Sequence, residues 1–165
     1  MSHLPNIVGF AVLVAGAFAI GPASSADANR SKSICQSVDE SPAQPIGDRE
    51  GHMMAIYNVT CRVVEGQPVG GESSGKVIIE WDKTHAALIA GGGVMRSPGS
   101  IAVFQNIEEN GDVTIADGKV AGYASSGRGK VIWAAGAAAS AVGKSYSYTT
   151  KSTGPGESVV ETVGD

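Results

Sequence analysis

The sequence predicts an all-β fold and, within that class, a single antiparallel barrel of about eight strands. Short stretches in which apolar and polar residues alternate recur along the chain, as in half-buried strands. Glycine, serine, proline, asparagine and aspartate separate these stretches and indicate turns. Successive hairpin turns favour up-and-down connectivity, and closure removes exposed strand edges. We therefore prefer the barrel to the alternative, a two-sheet β-sandwich.

The first segment, residues 1–26, is predicted to be a secretory signal peptide. Residues 7–20 are uncharged and apolar, too short to cross a membrane comfortably, and small residues follow them. Cleavage after Ala26 or after Ala28 would suit signal peptidase, and we favour Ala26. Because no lysine or arginine precedes the apolar stretch, an apolar helix or membrane anchor is the alternative. We expect a periplasmic or secreted protein with no integral membrane span after signal removal.

Charge and length restrict the partners and the number of domains. The 165 residues include 16 acidic and 12 basic ones, which gives a net charge of -4. No basic cluster offers a footprint for a phosphate backbone, so we expect no nucleic-acid partner. The length fits one domain, with an irregular N-terminal arm over residues 27–51 and a β-barrel domain over residues 52–165. The arm is polar and is interrupted by Pro42 and Pro45.

The two cysteines, Cys35 and Cys61, are predicted to form a disulfide bond. Pairing is the default in an oxidising compartment. Closing a loop of about 27 residues would restrict the unfolded chain by about 3.5 kcal/mol in the loop-entropy model, and would fasten the N-terminal arm. The alternative, a redox-active pair, lacks the close C-x-x-C spacing.

The strand candidates begin near His52. In residues 53–63 the odd positions are apolar, which places Cys61 on the core face, and residues 76–81 repeat the alternation. Residues 82–84 form a predicted turn. Two further strand candidates lie on either side of Gly91-Gly92-Gly93 and the Ser97-Pro98-Gly99 turn, namely residues 85–90 and 101–107.

The second half of the chain contains two strong hairpin signals. Asn110-Gly111 and Asp117-Gly118 suit a type I′ turn, because both of its central positions need positive φ. An alanine-rich segment, residues 134–142, is the one helix candidate, with a strand or loop as alternatives. The remaining strand candidates are residues 113–115, 120–125, 130–134, 145–150 and 158–163.

One stretch carries a resemblance to a known family, Gly127-Arg128-Gly129-Lys130-Val131-Ile132-Trp133-Ala134-Ala135-Gly136. It resembles the G-x-G-(K/R)-aromatic-x-x-A-x-G stretch of dirigent and allene-oxide-cyclase-like barrel proteins, and departs from it at Val131, where the family has an aromatic residue. The resemblance implies a barrel of eight strands with an interior pocket for a small, largely apolar molecule. It assigns no catalytic residue to a position of this chain, because no second motif of the family matches. Taken whole, the chain also resembles small exported bacterial proteins of unassigned function.

Aromatic residues are the predicted ligand-binding residues of the barrel. Alternation would turn five of them inward: Tyr57, Trp81, Trp133, Tyr146 and Tyr148. Core packing is the alternative interpretation for all five. If side chains do not fill the interior completely, these residues would line a pocket for a small apolar ligand.

The histidines do not form a pattern that predicts a catalytic or metal-binding site. His52 and His85 remain after signal removal, and neither has the spacing of a zinc site. We interpret both as surface or strand-end residues. Proton transfer is the alternative, if a pocket brought Glu80 or Asp82 close to one of them.

The acidic residues and the serine motif are given structural interpretations. Glu108, Glu109, Asp112 and Asp117 are expected to form a solvated acidic rim around two hairpin turns, and a calcium site is the alternative. The G-x-S-x-G match at residues 71–75 precedes a strand, so we interpret it as a turn. We therefore predict no catalytic residue, no metal site and no cofactor.

Three functional hypotheses follow from these patterns. The first is a non-enzymatic exported barrel that binds a small apolar ligand or an envelope partner. The second is a metal-independent isomerase or cyclase-like enzyme acting on a hydrophobic substrate, for which a cavity with convergent histidine, tyrosine or carboxylate groups is expected. The third is a structural or surface interaction module, with a solid core and an exposed apolar patch.

Overall fold

The computed structural model describes residues 29–40, 43–116 and 119–165. These residues form a closed antiparallel β-barrel of eight strands with one short extra strand. The predicted barrel is confirmed, and the sandwich alternative is wrong. The predicted signal peptide and the Asp117-Gly118 turn lie outside the described residues. No helix in the described ranges is both long and apolar enough to cross a membrane.

Neighbouring strands in the chain are neighbours in the barrel wall. The strands are β1 (Arg30–Glu40), β2 (Gln44–Pro45), β3 (His52–Gly66), β4 (Glu72–Asp82), β5 (His85–Ser97), β6 (Ser100–Ala116), β7 (Lys119–Gly136), β8 (Ser145–Gly154) and β9 (Glu157–Gly164). From β3 to β9 each strand pairs with the next, and β1 closes the barrel by pairing with both β3 and β9. The extra strand, β2, pairs with the start of β3.

The N-terminal segment departs from the sequence prediction. An irregular arm is predicted over residues 27–51, but β1 is a full strand of the barrel, hydrogen-bonded on both sides. Its inward side chains include Ser31 and Ser33, which are small, polar and buried. Because the inward face of β1 is largely polar apart from Cys35, no hydrophobic alternation marks this strand in the sequence. Residues 43–51 are largely irregular, as predicted, apart from β2.

Two glycine-containing segments that were predicted to separate strands lie inside long strands. Gly91-Gly92-Gly93 belongs to β5, and Asn110-Gly111 belongs to β6, so the hairpin prediction at Asn110-Gly111 is wrong. A Cβ on Gly111 would lie 2.6 Å from the Cβ of Ser125 on β7. Close packing inside the barrel therefore accounts for this glycine. The helix candidate at residues 134–142 reduces to one turn of 3-10 helix, Ala139–Ala141.

The core lies inside the barrel, on every second residue of the strands. In β3 every second residue from Ala55 to Val63 points inward, and all of these residues are buried. Cys35 of β1 and Cys61 of β3 occupy paired positions and form a disulfide bond, which confirms the predicted pairing. This crosslink joins two neighbouring strands of the wall, so it holds β1 against β3 where the sequence predicted an irregular arm fastened by the same bond.

Candidate functional site

Four of the five predicted ligand-binding aromatic residues lie inside the barrel. Tyr57, Trp81, Tyr146 and Tyr148 are buried. Their surroundings are other side chains: the Trp81 ring, for example, packs against the Tyr123 ring with centroids 5.9 Å apart. Such contacts support the interpretation of these residues as core.

The fifth aromatic residue, Trp133, points outward and is 50% exposed, so its predicted inward orientation is wrong. The cause is a β-bulge in β7. On β6, Val103 and Phe104 are consecutive, but they pair with Trp133 and Val131, so β7 contains one extra residue at this point. An inserted residue reverses the faces of the strand that follows it.

Glycines on β7 make room for the tyrosine rings of β8. Gly127 pairs with Tyr148 and Gly129 pairs with Tyr146. A Cβ on Gly127 would lie 2.5 Å from the Tyr148 hydroxyl oxygen, and a Cβ on Gly129 would overlap the Tyr146 hydroxyl. The tyrosine rings therefore occupy the space that these two glycines leave open, and the interior is filled at this level of the barrel.

A carboxyl group lies within this interior. Glu109 of β6 is 2% exposed. Its Oε1 accepts hydrogen bonds from the hydroxyls of Tyr123, at 3.0 Å, and Ser125, at 2.7 Å. Its Oε2 accepts one from the hydroxyl of Tyr148, also at 3.0 Å. Four polar side chains from β6, β7 and β8 thus converge on one buried point.

The prediction that Glu109 belongs to a solvated rim is wrong. A β-bulge in β6 explains its position: Asn106 and Glu108 pair with Gly129 and Arg128, which are consecutive on β7. The extra residue turns Glu109 inward and Glu108 outward. Glu108 is exposed and pairs with Arg128 at 2.6 Å, and Asp112 is exposed too, whereas Asp117 lies outside the described residues.

Burial sets the protonation of this cluster. It raises the pKa of the Glu109 carboxyl, against the opposing effect of the hydrogen bonds from Ser125, Tyr148 and Tyr123. Burial also raises the pKa values of Tyr123 and Tyr148, so both phenols remain protonated and donate to the carboxyl oxygens. The cluster favours a neutral Glu109 more strongly than water does.

His52 forms a second polar cluster at the start of β3. Its Nδ1 lies 2.5 Å from Asp48 Oδ1, and its Nε2 lies 2.6 Å from Glu80 Oε1. The side chain is 7% exposed, although the sequence suggested a surface or strand-end residue. The hydrogen bond to Asp48, followed by the bond to Glu80, raises the pKa of His52. In the imidazolium form both ring nitrogens donate to carboxylates, so neither is free to act as a base.

This arrangement fixes the segment before β3 to the barrel wall. The Ile46 N–H donates to the His52 carbonyl oxygen at 3.0 Å. Arg49 Nη2 contacts Asp82 Oδ2 at 2.9 Å, and Asp82 is the last residue of β4. We interpret the cluster as a clamp on residues 43–51. His85 pairs in register with Asp82, but its side chain is exposed and contacts Asp112 at 3.2 Å instead of the groups that bind His52.

A groove of about 850 Å³ lies on the outer face of the barrel, beside the β3–β4 hairpin. Its apolar side chains come from Ile34 of β1, Val64 of β3 and Val69 of the hairpin loop, and all three are exposed. Outward polar side chains lie among them: Gln36, Thr60, Arg62, Glu72, Ser74 and Arg96. No sequence pattern predicted this site. Its one visible signal is Val64, an apolar residue at an outward position of β3.

The charges in the groove follow from strand register. Arg62 of β3 pairs with Glu72 of β4, which pairs in turn with Arg96 of β5. Among the described residues, neither arginine side chain forms an ion pair or hydrogen bond. Two guanidinium groups and one carboxylate therefore give the groove a local excess of positive charge.

The described residues contain no group of three or more histidine, cysteine, aspartate or glutamate side chains placed to hold a metal ion. No protein-family model matches the chain, and no curated protein matches its sequence. The fold and site define a closed β-barrel with a disulfide bond in its wall, a polar cluster in its interior and a groove on its outer face.

Proposed function

We propose that the protein is an exported, non-enzymatic binding barrel and that its ligand binds in the outer groove. The observation that carries this proposal is the contrast between the two surfaces of the wall. Tyrosine rings fill the interior opposite Gly127 and Gly129, whereas the outer face has a groove of about 850 Å³. The apolar leader pattern at residues 7–20 and the Cys35–Cys61 disulfide bond support export.

The size and lining of the groove suit a small ligand or a short segment of a partner. Small-molecule sites occupy roughly 300–1,000 Å³ and combine apolar walls with a few polar groups. Here Ile34, Val64 and Val69 supply the apolar surface. Exposed apolar side chains that gather in one concavity lose contact with water when a ligand binds, which is the main source of affinity.

The groove rests on a rigid framework. The hairpin loop is held by hydrogen bonds from Val63 N–H to Gly71 O, at 2.8 Å, and from Gly70 N–H to Val63 O, at 2.9 Å. The Cys35–Cys61 disulfide bond lies in the same part of the wall, and Cys61 lines the groove. A site that is already ordered loses little conformational entropy on binding.

Nile red, a neutral apolar dye, tests the proposal. We expect it to bind the processed chain with an increase in fluorescence, and the double variant Val64→Ser/Val69→Ser to weaken binding at least fivefold. Both valines are exposed, so the variant should fold, which circular dichroism checks. Val142→Ser removes a similarly exposed valine elsewhere and is the matched control. Equal binding by the double variant, or no binding by the native chain, would contradict the proposal.

A second candidate function is a metal-independent isomerase or cyclase-like enzyme, favoured by the convergence of Tyr123, Ser125 and Tyr148 on Glu109. Among the described residues, five buried side-chain groups have no hydrogen-bond partner, and Trp81 Nε1 and the Thr150 hydroxyl are two of them. This candidate needs solvent access to the carboxyl group. Labelling with a water-soluble carbodiimide and an amine tests it: modified Glu109 in the folded protein would favour the enzyme, and complete protection would favour the binding barrel.

A further inference from the structure

We infer that the ligand of the outer groove is the C-terminal segment of a partner polypeptide, with apolar side chains and a free α-carboxylate. The inference rests on the proposed function and names the chemical class of its ligand. In this arrangement Ile34, Val64 and Val69 contact the apolar side chains, and Arg62 and Arg96 bind the carboxylate.

The arginines are the reason for expecting an anion. Arg62 and Arg96 lie on the outer faces of β3 and β5, both line the groove, and neither is paired with another described residue. Guanidinium groups present parallel N–H donors that match the two oxygens of a carboxylate. Glu72 lies between them in register, so the three side chains together carry one net positive charge. A single negative charge on the ligand restores neutrality.

The neutral polar side chains are the reason for expecting a peptide. Gln36, Thr60 and Ser74 line the groove alongside its apolar residues. A peptide backbone offers N–H and C=O groups to such amide and hydroxyl side chains, whereas a plain acyl chain would leave them without partners on binding.

The wall of the barrel also restricts how a peptide can bind. At the described positions of the groove, Ile34, Thr60, Glu72 and Arg96 each pair with a neighbouring strand on both sides, so the strands offer no free edge there to an added strand. Recognition therefore depends on outward side chains of the groove. With only two arginines, the groove does not provide the continuous positive track that a nucleic acid needs.

Pooled synthetic peptides test this inference. Acetylated hexapeptides with varied apolar residues at the last three positions are prepared as two pools, one with a free C-terminal acid and one with a C-terminal amide. Both pools are applied to immobilised full-length processed chain, and the retained peptides are quantified by mass spectrometry. We expect acids to be enriched about tenfold over amides of the same sequence, and the preference to fall with added salt.

Arginine variants locate the binding site. Arg62→Gln/Arg96→Gln should abolish the preference for acids, whereas Arg128→Gln, which removes an exposed arginine on β7, should leave it unchanged. Nile red binding should persist in all three proteins, because its contacts are apolar, and circular dichroism checks their folding.

The other outcomes each have a defined meaning. Equal retention of acids and amides, or no retention of either pool while Nile red still binds, would overturn the peptide inference and leave the proposed function standing. If decanoate displaces Nile red and neither peptide pool is retained, the peptide inference is overturned and the ligand is an amphipathic small molecule. Failure of Nile red together with both pools would overturn the proposed function itself.

Discussion

The hydroxyl of Tyr148 donates a hydrogen bond of 3.0 Å to Oε2 of Glu109 across an intervening strand. Gly127 of β7 pairs with both residues, Glu109 on one side and Tyr148 on the other. The bond spans β7 because Gly127 has no side chain to block it. The contact between the Tyr148 hydroxyl and the buried carboxyl group therefore depends on this glycine.

Alanine at this position tests the relationship. The Gly127→Ala substitution should lower the free energy of unfolding by about 1–3 kcal/mol, because the new Cβ overlaps the Tyr148 ring and forces it to shift. Urea unfolding measures the change. Gly154→Ala is the control, since a Cβ there has no neighbour within 4 Å. Equal stability of the Gly127 variant and the native protein would show that the ring does not pack as described.

The buried carboxyl group should make stability depend on pH. Because the pKa of Glu109 is raised in the folded state, its protonated form contributes stability that is fully present below the ordinary value of 4.5 and is lost as pH rises through the folded pKa. Glu109→Gln cannot ionise at this position. The free energy of unfolding of the native protein, minus that of the variant, should therefore fall between pH 3 and pH 8. A constant difference across this range would contradict the cluster as described.

The His52 clamp should weaken in alkaline solution. Hydrogen bonds to Asp48 and Glu80 raise the pKa of His52, so its stabilising effect is complete below about 6.5 and is lost as pH rises through the folded pKa. The melting temperature of the native protein should fall between pH 6 and pH 9 more steeply than that of His52→Gln. His85→Gln, altered at an exposed histidine, should follow the native curve. Parallel curves for all three proteins would argue against the clamp.

The two tryptophans should report opposite environments. The variant Trp133→Phe leaves only the buried Trp81, whose emission should be blue-shifted and resist acrylamide. The variant Trp81→Phe leaves only Trp133, which is 50% exposed and should be quenched several times more strongly. Strong protection of Trp133 from acrylamide would indicate that its side chain points inward, as alternation alone predicts. It would contradict the bulge in β7.

The sequence predicted the barrel because several strands obey simple alternation. Residues 53–63 place apolar side chains on one face, and that face is the interior of β3. The first strand could not be found in this way, since its inward residues Ser31 and Ser33 are polar. Its place is determined by pairing with β3 and β9, which are distant in sequence, and by the disulfide bond.

The site was harder to predict than the fold because single inserted residues reverse the faces of two strands. One bulge turns Trp133 outward, and another turns Glu109 inward. Alternation counted from either end of such a strand gives the wrong face beyond the bulge. The groove depends on residues from β1, β3, β4 and β5 together, so no local pattern identifies it.

Backbone amide NMR during titration with Nile red tests the central claim most directly, that binding occurs on the outer wall while the interior stays packed. We predict progressive shift changes at Ile34, Arg62 and Val69, with the amides of Glu109 and Tyr148 unchanged. Changes concentrated at Glu109 and Tyr148, with the groove residues unaffected, would place the ligand inside the barrel and contradict the account.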